Sequence, residues 1–158
     1  MRATGGLRNP IAITEAMIGR AVAAQAAAIP GPDTILADGL FDHALTQLQT
    51  ASNRPLMQLR RVAIAKAERF PQVGAAVFEA GPARVVARLG RVFAAWHKAG
   101  RPNTPDPDRA AALFNWLIMG GPTSEAMLLG APRFQAPDAA KVHTRQCVRV
   151  LLAAYGRD

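Results

Sequence analysis

The chain has 158 residues, half of them hydrophobic, and its 19 Lys and Arg against 11 Asp and Glu give a formal net charge of +8. A chain of this length fits one domain that buries about 68–70% of its unfolded surface. It contains no apolar run of about 18 residues, which excludes a membrane span, and its one cysteine, Cys147, excludes an internal disulfide framework and fits the cytoplasm.

The first part of the chain predicts a disordered N-terminus, followed by a helix and the end of that helix. Residues 1–9 are polar and contain glycine, which predicts a disordered N-terminus in front of a single domain over residues 10–156. A helix is predicted from Pro10, because proline is favoured at the first helical position. Pro30-Gly31-Pro32 ends that pattern, and Asp33 is a suitable N-cap for a second helix.

The centre of the chain, from Arg54 to Gly100, predicts three helices. They are separated at Phe70-Pro71 and at Gly81-Pro82, since proline is tolerated only in the first turn of a helix. Ser52 or Asn53 caps the first of the three. This helix is apolar on more than one side, which predicts a central position between other helices.

The last third of the chain predicts two long helices with much apolar surface. Asp106 caps the first, which is predicted to run to about Gly120 and to end at Gly121-Pro122. A short region over residues 124–129 follows, and Asp138 caps the final helix, which ends at Tyr155. With about seven helices and no convincing strand, the fold class is all-α.

Several of these motifs also carry a family resemblance. They are Ala67–Pro71, Phe78–Pro82, Arg84-Val85 and Leu89, with looser similarity through 106–108, 110–120 and the last helix. In these residues the chain resembles, over about residues 35–155, the C-terminal regulatory domain of TetR-type transcriptional regulators in the AefR-like branch.

The resemblance implies a helical bundle whose last two long helices pair with their copies in a four-helix dimer interface. It implies a cytoplasmic homodimer that binds a small apolar effector and acts in transcription regulation as a repressor. It implies DNA contact only through an N-terminal helix-turn-helix head, and we find no such head in this sequence.

A bundle of this kind offers an apolar interior as its ligand site. The side chains that we predict to line it share large apolar character at helical spacing: Met17, Phe41, Leu45, Met57, Ile64, Phe78, Val86, Phe93, Trp96, Phe114 and Ile118. His97 and Asn115 are the candidate polar anchors. Plain core packing is the alternative for every one of these residues.

The dimer surface is predicted on the last two helices, because both carry more apolar surface than a small bundle can bury. The residues assigned to it are Trp116, Leu117, Val142, Cys147, Val150, Leu151 and Ala154. Closure of the protomer's own core is the alternative.

The sequence shows no arrangement of residues that is typical of a catalytic site. The acids mostly lie at helix starts, the histidines stand alone without a second metal ligand at i+3 or i+4, and Cys147 lies in an apolar helix. We therefore expect no enzyme, metal or cofactor. Two alternatives stay open. One is a small helical enzyme or carrier for apolar molecules. The other is a basic protein that binds nucleic acid through Arg84, Arg88 and Arg91, although a solvent-exposed helix face also explains these three arginines.

Overall fold

The computed structural model describes residue 16, residues 35–130 and residues 136–156. In these parts every regular element is a helix, which confirms the all-α fold class. The helices are α1 (Leu36–Ala51), α2 (Arg54–Lys66), α3 (Pro71–Phe78), α4 (Arg84–Lys98), α5 (Pro107–Leu129) and α6 (Pro137–Tyr155). A π-helical turn, Glu79–Ala83, joins α3 to α4. A search of the described helices for one long and apolar enough to cross a membrane finds none.

Four sequence predictions fall outside the described residues. They are the disordered start over residues 1–9, the helix from Pro10, the cap at Asp33 and the ligand contact of Met17.

Helix ends follow from local capping chemistry where the caps are correctly predicted. The Asn53 side chain accepts a hydrogen bond of 3.0 Å from the N–H of Leu56 at the start of α2. At the start of α5, Asp106 accepts one of 3.0 Å from the N–H of Arg109. Gly100 ends α4 with a φ of 73°, a left-handed conformation that glycine adopts without strain.

The main core lies between α1, α4, α5 and α6. At its centre Phe93 stacks on Trp96 with 5.8 Å between ring centroids and lies 6.3 Å from the ring of Phe114. Leu40 and Leu48 of α1 pack into the same cluster. Burying aromatic rings of this size contributes most of the apolar area that holds such a bundle together.

The break predicted at Gly81-Pro82 is wrong, because α3, the π-helical turn and α4 form one continuous helical path. Proline in an α-helix lacks a donor and clashes with the carbonyl four residues earlier. The wider π-helical turn relieves both problems by shifting the bonding pattern to i→i+5 around Pro82. A proline inside a helical region therefore changed the helix geometry here without ending the helix.

The break predicted at Gly121-Pro122 is also wrong, since α5 continues through Pro122 to Leu129. Pro122 has no N–H to donate to the carbonyl of Ile118. That carbonyl instead accepts a hydrogen bond of 2.9 Å from Nε2 of His143 on α6. A side chain from the neighbouring helix thus replaces the backbone donor that proline removes.

Two further expectations need correction. The helix α2 is peripheral, since Val62 and Ile64 are exposed and α2 packs mainly against α3. Asp138 is not the cap of α6, because the helix begins at Pro137 and Ala136 is its N-cap residue. Proline at the first helical position set this boundary in place of the side-chain cap.

Candidate functional site

A cavity of about 120 Å³ lies where five helices and the π-helical turn meet. Its walls come from α1, α2, α3, α4 and α5. The lining residues are Gln47, Ala51, Leu56, Leu59, Arg60, Val77, Gly81, Pro82, Val85, Asn115, Trp116, Met119 and Thr123. Most of these side chains are apolar, with a few polar groups among them, which is the usual make-up of a small-molecule site.

Two buried amides face each other at this cavity. Nε2 of Gln47 donates a hydrogen bond of 2.6 Å to Oδ1 of Asn115. The exposed fractions of the two side chains are only 3% and 2%. Within the described residues, Oε1 of Gln47 has no hydrogen-bond partner. Buried carbonyl oxygens are normally paired, so this acceptor is available to a ligand.

Among the described residues that line the cavity, Arg60 is the one that carries a charge. Its Nη1 donates to the carbonyl oxygen of Ala51 at 3.3 Å and contacts Sδ of Met57 at 3.6 Å. Burial lowers the pKa of the Arg60 guanidinium, since the surroundings disfavour its charge. No carboxylate of the described residues forms a salt bridge with it, so its charge lacks a counterion within that part of the chain.

The π-helical turn contributes Gly81 and Pro82 to the wall of the cavity. Turns of this type are rare and occur often at functional sites, because they re-aim backbone and side chains locally. The sequence did signal this place through the Phe78–Pro82 motif, but we had interpreted that motif as a helix end. A proline that is not at a helix start was the available clue.

None of the ten predicted ligand contacts within the described residues lines this cavity. The structure places Phe93, Trp96, Phe114 and Ile118 in the main core, fully buried. The remaining six lie in three settings: Met57 is buried, Phe41, Leu45 and Val86 pack at the edge of the core, and Ile64 and Phe78 are exposed. Of the two candidate polar anchors, Asn115 lines the cavity and His97 does not.

A shallow groove between α1 and α6 is a second depression of the surface. The Arg145 guanidinium lies over the ring of Phe41 at 5.6 Å from its centroid. This contact covers one face of the ring with a cation from the protein itself. The groove is also more open to solvent than the cavity.

The residues predicted for a dimer surface divide into two groups. Trp116, Leu117, Val142, Val150 and Ala154 are exposed on α5 and α6. Cys147 and Leu151 instead belong to the protomer's own core, because they fall on the stripe of α6 that faces α1 and α5.

Two exposed leucines that the sequence pattern did not assign to this surface, Leu113 and Leu128, extend the same face of α5. On α6 the positions 142, 146, 150 and 154 are exposed at a spacing of four residues. Such a spacing puts them on one side of the helix. The two helices thus present adjoining exposed stripes with large apolar side chains.

Cys147 has the properties of an inert thiol. Burial raises its pKa to about 11, and a backbone hydrogen bond offsets this in part. Its Sγ lies 3.5 Å from the carbonyl oxygen of Leu117. The thiolate form required of a nucleophile or metal ligand is therefore disfavoured. Among the described residues there is no group of three or more His, Cys, Asp or Glu that could hold a metal ion.

Comparison with known proteins identifies relatives of this fold. A family model described as the C-terminal domain of AefR-like transcriptional repressors matches residues 38–157. A crystal structure from Mesorhizobium loti, described as a TetR-family transcriptional regulator, is similar with a TM-score of 0.80 and 26% sequence identity. The match covers 93% of this chain and 72% of that chain. A search of curated proteins gives no match.

Proposed function

The chain belongs to the family of AefR-like C-terminal domains of TetR-type transcriptional regulators, and on this basis we propose that it binds a small effector and forms a homodimer. The domain would span residues 10–156 and act in the cytoplasm. DNA contact would come from a helix-turn-helix head and not from this domain.

The cavity is the observation that carries the effector-binding proposal. It lies at the junction of α1, α2, α3, α4 and α5, and its lining includes Gln47, whose buried Oε1 has no hydrogen-bond partner within the described residues. A ligand in this place touches several helices at once. It can therefore favour one arrangement of them over another, which is the requirement for an effector.

The proposal of a dimer is supported by the exposed face of α5 and α6. Leu113, Leu117, Val142 and Val150 expose between 38% and 54% of their surface. Contiguous apolar surface on a soluble protein commonly marks an interaction site. A two-fold arrangement would pair this face with its own copy, as an isologous interface requires.

Light scattering coupled to size-exclusion chromatography tests the dimer. We expect a dimer at micromolar concentration for the natural chain and a monomer for Val150→Glu, because a carboxylate in the centre of an apolar interface has no partner. Ala95→Glu introduces the same charge at an exposed position of α4 and should remain dimeric. A monomeric natural chain would contradict the proposal.

Differential scanning fluorimetry tests effector binding with a library of small cyclic compounds. Compounds that occupy the cavity should raise the melting temperature in proportion to their affinity. Met119→Trp fills the cavity from α5 and should abolish these shifts. Shifts that persist in the filled variant would place the ligand elsewhere.

A further inference from the structure

We infer that the cavity takes a monocyclic carboxylic acid that carries a hydroxyl group. The carboxylate would pair with Arg60, and the hydroxyl would donate a hydrogen bond to Oε1 of Gln47. This inference rests on the proposed role of the cavity as the effector site, and adds the chemical class of the ligand.

The size of the cavity limits the ligand to about one ring. Its volume is about 120 Å³, whereas an engineered apolar cavity of about 150 Å³ binds benzene. The apolar walls, among them Leu56, Val85 and Met119, provide the contact surface for such a ring. The cavity is partly open, so the polar groups of a substituted ring can extend beyond these walls.

The charge of the cavity selects an acid. Within the described part of the chain, Arg60 is the one charged lining residue, and its guanidinium contacts there only the neutral oxygen of Ala51 and the sulfur of Met57. A guanidinium matches a carboxylate through two parallel hydrogen bonds. A bound carboxylate would supply the counterion that the described residues do not provide.

The buried amide pair selects a hydrogen-bond donor on the ligand. Nε2 of Gln47 is already used by Asn115, whereas Oε1 is buried and unpaired. This oxygen can only accept, so its partner must be an O–H or N–H group. A hydroxyl group on the ring meets this need.

The two anchors are connected through α1. Arg60 is fixed to the carbonyl of Ala51, and Ala51 lies four residues after Gln47 on the same side of α1. Positions four apart on a helix are neighbours about 6 Å from each other. Both anchors therefore belong to one part of the cavity wall, where a single ligand can contact them together.

Isothermal titration calorimetry of the full chain tests this assignment at fixed ionic strength. The probes are 4-hydroxybenzoate, benzoate and phenol, each of which has the ring but differs in its polar groups. We expect 4-hydroxybenzoate to bind at least tenfold more tightly than either of the others, because a hydrogen bond to a charged group and one to a buried acceptor each contribute about that factor or more.

Two arginine variants separate the local contact from the general positive charge. Arg60→Met should remove the advantage of 4-hydroxybenzoate over phenol and leave phenol binding unchanged. Arg61→Met is the matched control, since Arg61 is the neighbour on α2 but binds the carbonyl of Ala126 at 2.7 Å and does not line the cavity. Circular dichroism verifies that both variants fold. If Arg60→Met does not fold, the probe series on the natural chain decides alone.

Equal affinity for phenol and 4-hydroxybenzoate would overturn the inferred ligand class and leave the cavity as an effector site. The same conclusion would follow if Arg61→Met weakened 4-hydroxybenzoate as much as Arg60→Met. Failure of all three ring compounds to bind would overturn this inference. Failure of the wider library as well, with no shift that Met119→Trp abolishes, would overturn the proposed effector site itself.

Discussion

At the scale of single residues, His43 makes the stability of the bundle depend on pH. Its side chain is fully buried on α1, and within the described residues neither ring nitrogen has a hydrogen-bond partner. Burial lowers the pKa of His43 from 6.5 to about 4. Between these two pH values the unfolded chain binds a proton that the folded chain does not, so stability is lost as the pH falls from 6.5 towards 4.

We predict that this group alone lowers the free energy of unfolding by up to about 3 kcal/mol at the acid end of that range. His43→Leu puts an apolar side chain at this buried position and removes the titrating group. Its urea unfolding curves should therefore show a weaker decline between pH 6.5 and 4, while the carboxylates contribute equally to both proteins. Parallel declines would show that His43 does not titrate as its burial requires.

Cys147 is the second residue whose burial has a measurable effect. With its pKa raised from 9.0 to about 11, the thiolate fraction at pH 8 falls about a hundredfold. We expect iodoacetamide to label the folded protein at least that much more slowly than the protein in urea. Because the chain has one cysteine, mass spectrometry gives the rate directly. Rapid labelling under native conditions would contradict the buried position.

At the scale of elements, the junction of α5 and α6 depends on an exchange of hydrogen-bond donors. Nε2 of His143 bonds to the Ile118 carbonyl that Pro122 cannot reach. We predict that His143→Phe lowers the free energy of unfolding by about 1–3 kcal/mol, since a carbonyl in the bundle loses its donor. In a Pro122→Ala background the restored backbone N–H serves this carbonyl, so the same substitution should be less harmful.

Urea denaturation of the four proteins in this double-mutant cycle measures the coupling between the two positions. A coupling energy of zero would mean that the His143 bond and the missing proline donor are unrelated. The single variant Pro122→Ala is a necessary corner of the cycle, because its effect combines the change in helix propensity with the restored backbone N–H.

Some of the helix ends could be predicted from the residues next to them. Asn53 and Asp106 were correctly predicted as caps, because their side chains bond only to backbone within three residues. The helix ends predicted at Pro82 and Pro122 are wrong for a different reason. The helix continues through Pro82 by means of a π-helical turn, and through Pro122 with the help of a histidine 21 positions away. Such tertiary compensation has no signature in local sequence.

The cavity was harder to predict than the fold for a physical reason. Apolar stripes at helical spacing mark the core, so selecting large apolar residues led to Phe93 and Trp96, which are fully buried there. The cavity lies where helices diverge, and its walls include small and polar residues such as Ala51, Gly81 and Gln47. These residues stand out only once the helices have been assembled.

At the scale of the whole molecule, Trp116 connects the cavity to the proposed dimer face. Its side chain lines the cavity and is 51% exposed. On the same helix, Asn115 and Met119 also line the cavity, whereas Leu113 and Leu117 are exposed. One helix therefore lines the cavity on one side and carries the proposed dimer face on another.

We predict that ligand binding and dimerisation are thermodynamically coupled through α5. A ring bound in the cavity restrains the Trp116 side chain in the monomer. Dimerisation then costs less conformational entropy, so the dissociation constant of the dimer should fall. Reciprocity then requires that the monomeric variant Val150→Glu bind the ligand more weakly, by a factor on the order of 5 to 150 for typical coupling. Because a homodimer holds two ligands, saturating ligand should raise the dimerisation constant by the square of that factor.

Analytical ultracentrifugation with and without saturating 4-hydroxybenzoate gives the first factor, and calorimetric titration of the natural chain and of Val150→Glu gives the second. A first factor equal to the square of the second supports transmission between the sites, and Ala95→Glu should leave both unchanged. Equal affinity of monomer and dimer for the ligand would mean that the shared position of Trp116 transmits nothing. In that case the α5 helix would behave as a rigid wall, and a regulator built on this domain would need another route from the effector to the partner protomer.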